Sequence, residues 1–182
     1  MTFAKAFTIG VLSVVLLAGT ISQGQALSEE VRATATHWLL NDCGLQSTLR
    51  AQLQAAKSPA LETFFLDALQ NGPDASQIAD FEKEANRRYD QRQQALKRPE
   101  GLGLSPQDIM EARKLSREDF LTQEKKDFDL RYRSQAVAGL GLTGGNKATS
   151  ELQRIAKDPK SPLQTSARAA LNDSRQPDQP KK

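Results

Sequence analysis

Apolar side chains recur at spacings of three and four residues along most of the chain, which is the period of an α-helix. The clearest stripe consists of Leu61, Phe64, Phe65, Ala68 and Leu69. Runs rich in β-branched residues, which favour strands, occur only near the N-terminus. The pattern therefore predicts an all-α fold of antiparallel helix pairs, arranged as a short α-α superhelix or as an irregular helical bundle.

Capping and turn residues divide this pattern into separate helices. Ser28 precedes Glu29 and Glu30, as at a helix N-terminus, where a side-chain oxygen and negative charges stabilise the free N–H groups. Asn-Gly-Pro at residues 71–73 ends the helix with the clearest stripe. Ser-Pro at 105–106 begins another helix, and a capping box at Ser116 begins a long one that runs to about residue 140. Further helices are predicted near residues 45–57, 147–157 and 162–171.

Residues 74–98 are predicted to form a longer, heavily charged helix. Its charged face holds the basic run 86–98, but matching acids such as Asp80, Glu82 and Glu84 lie on the same helix, so the run indicates a solvated surface rather than a phosphate site. The opposite face is an apolar stripe made of Ile78, Phe81, Ala85, Tyr89 and Leu96.

This charged helix could pair with the long helix that begins at Ser116. In such a coiled hairpin, we expect Phe81 and Tyr89 to pack against Phe128 and Tyr132.

The first 26 residues have the three parts of a secretory signal peptide. A single lysine, Lys5, precedes a nearly uncharged apolar run at 6–22, and Gly-Gln-Ala at 24–26 resembles a cleavage site. The apolar run is shorter than the roughly 20 residues of a membrane-spanning helix, so a retained anchor is the alternative we favour less. We expect an exported protein, periplasmic or secreted, with no stable membrane span after cleavage. The mature part divides into one helical domain at 27–173 and a polar, disordered tail at 174–182.

Charge and cysteine content narrow the possible classes of function. Without Lys5 the chain carries 24 basic and 22 acidic residues, an imbalance too small to predict nucleic-acid binding. Cys43 is the only cysteine, so an internal disulfide is excluded and burial of the thiol is expected.

Catalytic and metal-binding residues are not expected anywhere. His37, the only histidine, lies near Cys43, but one His and one Cys on the same short segment cannot supply a closed tetrahedral metal site. We therefore expect a surface histidine beside the core residue Trp38. The acidic pairs 29–30 and 118–119 both fall in first helical turns, where they complement the helix dipole.

A glycine motif, G-x-G-x-x-G, occurs at Gly139, Gly141 and Gly144. A dinucleotide-binding loop needs a strand before this motif and a second strand after the following helix. The preceding residues alternate poorly and include two arginines, and Pro159 interrupts the chain after the motif. We therefore interpret Gly139 and Gly141 as helix endings. The pair 144–145 is predicted to form a turn between two stacked helices. We expect no bound cofactor.

Residues 131–171 resemble a HEAT-type helical repeat. An Arg- and Ala-rich helix closes on Leu-Gly at 140–141, a helix with Leu152 and Ile155 follows, and Asp158 precedes a last helix ending at 171. The resemblance implies a curved stack of helix pairs that serves as a protein-binding surface. If the chain holds further repeats, the segments beginning at Ser58, Ser105 and Ser161 should occupy equivalent places.

Taken together, these features predict an exported interaction or scaffolding module that binds another protein and performs no catalysis. The main alternative is a periplasmic chaperone-like or stress-related protein built on the coiled hairpin. A hydrolytic enzyme, which would gather His37 with Cys43 or carboxylates in a cleft, is third.

Overall fold

The computed structural model describes residues 26–41, 46–56, 58–101 and 103–174. Within these ranges the chain is helical and contains no strand, which confirms the all-α prediction. A short 3-10 turn lies at Pro99–Gly101. The helices are α1 (Glu29–Leu40), α2 (Gln46–Ala56), α3 (Ala60–Asn71), α4 (Ala75–Ala95), α5 (Pro106–Lys114), α6 (Arg117–Thr143), α7 (Asn146–Lys157) and α8 (Gln164–Ser174).

Several helices begin where their capping residues predict. The Ser28 hydroxyl accepts a hydrogen bond from the Val31 N–H at 3.3 Å, and the Ser116 hydroxyl accepts one from the Asp119 N–H at 3.0 Å. Asp74 forms a capping box at the start of α4, which was not foreseen, and Ser105 forms one at the start of α5. These bonds satisfy N–H groups that have no partner inside a helix.

Helix α6 is the centre of the fold, and its two halves lie in different surroundings. Its C-terminal half is covered by α1, α3, α7 and α8, so that Ala136, Val137 and Leu140 are inaccessible to solvent. Helix α3 contributes the predicted stripe to this core, including the fully buried Phe65. We call the four covering helices α1, α3, α7 and α8, together with α2, the body.

The N-terminal half of α6 instead pairs with α4, and we call this pair the arm. Phe81 stacks on Phe128 with ring centroids 4.3 Å apart, as the hairpin prediction required. The Tyr89 ring, however, packs against Phe120, with the ring centroids 5.5 Å apart, and not against Phe128 or Tyr132, so the Tyr89 part of the prediction is wrong. In an antiparallel pair, moving eight residues forward on α4 means moving eight residues back on α6.

Helix α5 lies at the far end of the arm. The Arg113 guanidinium donates a hydrogen bond to the Leu96 carbonyl at 2.8 Å, and the Tyr89 hydroxyl donates one to the Leu115 carbonyl at 3.2 Å. These bonds hold the chain segment that links α4 to α6 against the C-terminal part of α4.

The glycine motif lies mostly inside α6, which corrects the interpretation of Gly139 and Gly141 as helix endings. The helix continues to Thr143 because both glycines serve close packing: a Cβ at Gly139 would lie 2.6 Å from the Phe65 ring, and one at Gly141 would lie 2.9 Å from the Ala170 carbonyl oxygen. The helix ends at Gly144, whose φ of +63° is a left-handed conformation that glycine adopts without strain. The predicted turn at 144–145 is therefore confirmed.

Two helix ends are held by side chains from other helices. The Glu62 carboxylate of α3 accepts a hydrogen bond from the Ala148 N–H in the first turn of α7, at 2.7 Å. This contact supplies the cap that Gly145 lacks. The Arg133 guanidinium of α6 donates to the Leu69 and Gln70 carbonyls in the last turn of α3.

The three Ser-Pro segments do not occupy equivalent places. Helices α3 and α8, which follow Ser58 and Ser161, both pack on α6, and each serine carbonyl accepts a hydrogen bond from the N–H three residues on, at 3.1 Å. Ser105 instead caps α5 directly, at the end of the arm. Asp158 lies in the turn between α7 and α8 as expected. A repeat relation between the first and third segments stays a prediction.

No helix in the described ranges combines the length and the apolar character that crossing a membrane requires. The predicted signal peptide at 1–26 and the predicted tail at 174–182 fall outside the described residues, except for Ala26 and Ser174.

Candidate functional site

A groove of about 700 Å³ separates the arm from the body. Helix α6 forms its floor, α4 forms one wall, and the other wall comes from α1, α2 and α8. The groove exists because α6 is longer than the helices that pack against it: α4 pairs with its N-terminal half while the body covers its C-terminal half. Its volume lies in the range of about 300–1,000 Å³ that is typical of ligand-binding sites.

Four aromatic residues give the groove an apolar base. Phe81 and Phe128 form the stacked pair of the arm, and Trp38 and Tyr132 line the same groove, each 5% exposed. The Trp38 indole N–H donates a hydrogen bond to the Gln135 carbonyl at 2.8 Å, which fixes the ring against α6. Burial raises the pKa of the Tyr132 phenol above its usual value.

Amide and hydroxyl groups surround the aromatic base. The Ser134 and Ser166 hydroxyl oxygens lie 2.7 Å apart, and the Gln135 amide donates to the Asn41 carbonyl at 3.2 Å. Gln46 and Gln77 line the groove from α2 and α4. Because an amide both donates and accepts hydrogen bonds, the exposed Gln46 side chain can satisfy the N–H and C=O groups of a peptide backbone.

The rim of the groove carries both signs of charge, and most of these charges have partners within the protein. Ion pairs join Arg50 to Asp173 at 2.9 Å, Glu84 to Arg87 at 2.6 Å, and Arg88 to Glu124. The hydrogen bond from Arg87 holds the pKa of the Glu84 carboxyl below its usual range.

Asp80 and Arg131 differ from the other rim charges. Both are exposed, and neither forms an ion pair with any other residue that the structure describes. They are therefore the rim charges most accessible to a ligand.

Of the candidate chemical residues of the sequence, His37 and the acidic pairs 29–30 and 118–119 do not line the groove. His37 is exposed in the last turn of α1, while Trp38 beside it is buried, as expected. Cys43 lies outside the described residues, so its predicted burial stays a prediction. Among the residues that are described, no three His, Cys, Asp or Glu side chains lie close enough together to hold a metal ion. The acidic pairs 29–30 and 118–119 occupy the first turns of α1 and α6, as predicted.

The sequence pattern did not predict the groove or the residues that line it. The one available signal was the predicted contact between Phe81 and Phe128, which places two of the four aromatic residues together. Asp80 and Arg131 look like ordinary helix-surface charges until the pairing of α4 with α6 is known.

Comparisons of the chain with protein-family models, with curated proteins and with solved structures find no match.

Proposed function

We propose that the protein is an exported helical interaction module that binds another protein through the groove between arm and body. The observation that carries this proposal is an aromatic base, formed by Trp38, Phe81, Phe128 and Tyr132, inside a rim of mixed charge. Aromatic and arginine side chains are the types enriched in protein-binding surfaces. No catalytic step is part of the proposal.

Two features of the sequence support the proposals of export and of protein binding by a helical stack. The signal-like segment at 1–26 supports export to the periplasm or the outside of the cell. The HEAT-like pattern at 131–171 spans the end of α6, α7 and α8, and this pattern is typical of helical stacks that bind proteins. One of these helices, α8, forms part of a groove wall.

Photocrosslinking from the groove tests the proposal. Leu40 lines the groove and is 42% exposed, whereas Leu130 lies on α6 away from the lining and is 38% exposed. Each is replaced in turn by p-benzoylphenylalanine, and the purified protein is irradiated with envelope extract from the source cells. We expect one discrete adduct from position 40 and none from position 130, as seen by gel and mass spectrometry.

Equal labelling from the two positions, or no adduct from position 40, would contradict the proposal. Competition with unlabelled wild-type protein must also remove the adduct, because a specific site saturates. Thermal unfolding of both variants confirms that the fold is retained.

A chaperone-like role for the arm is the second candidate. The observation that favours it is the exposure of Leu104 and Met110, at 44% and 57%, near α5 at the far end of the arm. Exposed apolar residues on a projecting hairpin could bind unfolded chains, whose apolar side chains are accessible to solvent.

Aggregation assays separate the two candidates. A chaperone role predicts that the purified protein slows the aggregation of a heat-unfolded enzyme, and that the double change of Leu104→Gln and Met110→Gln removes this effect. Leu40→Gln serves as the control, since it alters the groove and leaves the arm end unchanged. If Leu40→Gln has the stronger effect, the groove and not the arm tip binds the unfolded chain.

A further inference from the structure

We propose that the groove binds a peptide segment in which a large apolar side chain lies between a basic group and an acidic group. Asp80 would bind the basic group, Arg131 the acidic group, and the stacked pair of Phe81 and Phe128 the apolar side chain. This inference rests on the proposed function, since it specifies the part of the protein partner that enters the groove.

The antiparallel pairing of α4 with α6 places the two charges beside the same aromatic base. Phe81 stacks on Phe128, and Gln77, one turn earlier on α4, lines the same groove as Tyr132, one turn later on α6. Asp80 and Arg131 belong to these same turns of the two helices. Both line the groove, yet they form no ion pair with each other, so a ligand can contact both.

The signs of the charges restrict the class of ligand. Three carboxylates, from Asp80, Glu84 and Asp173, line the groove together with three arginines. A polyanion such as a nucleic acid would meet those carboxylates, and a polycation would meet the arginines. Because only one charge of each sign lacks an internal partner, a ligand with one basic and one acidic group is the best complement.

The remaining lining favours a peptide over a detergent-like molecule. A simple amphiphile needs an apolar surface and one contact for its head group, but this groove also presents the Gln46 amide on the wall opposite α4. Amides of this kind match backbone N–H and C=O groups. The volume of about 700 Å³ suits a segment of a few residues rather than a folded domain.

Peptide titration tests the inference with defined probes. The probes are acetyl-Lys-Ala-Phe-Ala-Glu-amide and the reversed order, acetyl-Glu-Ala-Phe-Ala-Lys-amide, each added to ¹⁵N-labelled protein and followed through the Trp38 indole N–H signal. We expect one order to bind more tightly. Replacing Phe with Ser, or both charged residues with Ala, should weaken that peptide about fivefold or more.

Exchanging the two protein charges provides the decisive control. In the double variant of Asp80→Lys and Arg131→Glu, we expect the preference between the two peptide orders to invert. The single variants Asp80→Asn and Arg131→Gln should each weaken the preferred peptide about fivefold without changing the melting temperature.

Several results would overturn the inference. These are equal binding of the uncharged peptide, a preference that the double variant does not invert, or tighter binding of dodecylphosphocholine monomers than of either peptide. If both peptides fail while crosslinking from position 40 succeeds, the ligand class is wrong and the proposed function stands. If both experiments fail, the proposed function is wrong as well.

Discussion

Gly139→Val is expected to destabilise the protein by about 3 kcal/mol, because it overfills a closely packed interface. A Cβ at this position would lie 2.6–2.7 Å from three carbons of the Phe65 ring, and Phe65 is fully buried. The ring cannot move aside without displacing other core residues, since protein interiors contain few voids. Denaturant unfolding should show a lower midpoint with an unchanged slope.

The nature of the Gly139 effect can be checked by changing its neighbour. In the wild-type background, Gly139→Ala should destabilise the protein. In a Phe65→Leu background the same change should become neutral, or stabilising by up to about 1 kcal/mol, because alanine favours a helix more than glycine does. If Gly139→Ala costs the same in both backgrounds, contact with Phe65 is not the reason for the glycine.

Arg133→Met should lower the free energy of unfolding by about 2 kcal/mol, since hydrogen bonds to charged groups contribute about 1.5–3 kcal/mol. The guanidinium contacts the Leu69 and Gln70 carbonyls in the last turn of α3, and it also pairs with Asp129. Methionine keeps much of the length of the side chain but cannot donate to any of these groups. Thermal unfolding followed by circular dichroism measures the loss.

Arg131→Met is the matched control for this prediction. It removes the same charge from the same helix two residues away, but Arg131 is exposed and has no ion pair within the described ranges. We expect a change within about 0.5 kcal/mol, as for most surface substitutions. Similar losses in the two variants would mean that the charge of α6, rather than the contact with α3, determines stability.

The helices could be predicted from the sequence, because each capping or turn residue lies within a few residues of the helix end that it determines. Ser28, Ser105 and Ser116 cap the helices that follow them, and Gly72 follows the end of α3 with a φ of +74°. None of these assignments depends on how the helices pack against one another.

The glycines were harder to interpret, because glycine serves two different purposes at different positions of α6. Gly144 ends α6 through its backbone conformation, whereas Gly139 lies inside the helix to admit Phe65, which is 74 residues earlier in the chain. Nothing near position 139 distinguishes these roles. The difference depends on tertiary packing, which local patterns do not contain.

The groove could be predicted only in part for the same reason. The apolar stripes of α4 and α6 predicted that the two helices pair, but not their alignment, so Tyr89 was matched with the wrong partner. The alignment decides that Asp80 and Arg131 lie beside one aromatic base. The opposite wall comes from the body, and no pattern in the arm indicates which helices form it.

Trp38 gives the groove a built-in optical probe. It is the only tryptophan of the chain, it lines the groove, and its indole N–H is held by the Gln135 carbonyl. All tryptophan emission of the unlabelled protein therefore originates at the proposed binding site. A ligand without tryptophan can be followed by the intensity and wavelength of this emission, with no dye attached to either molecule.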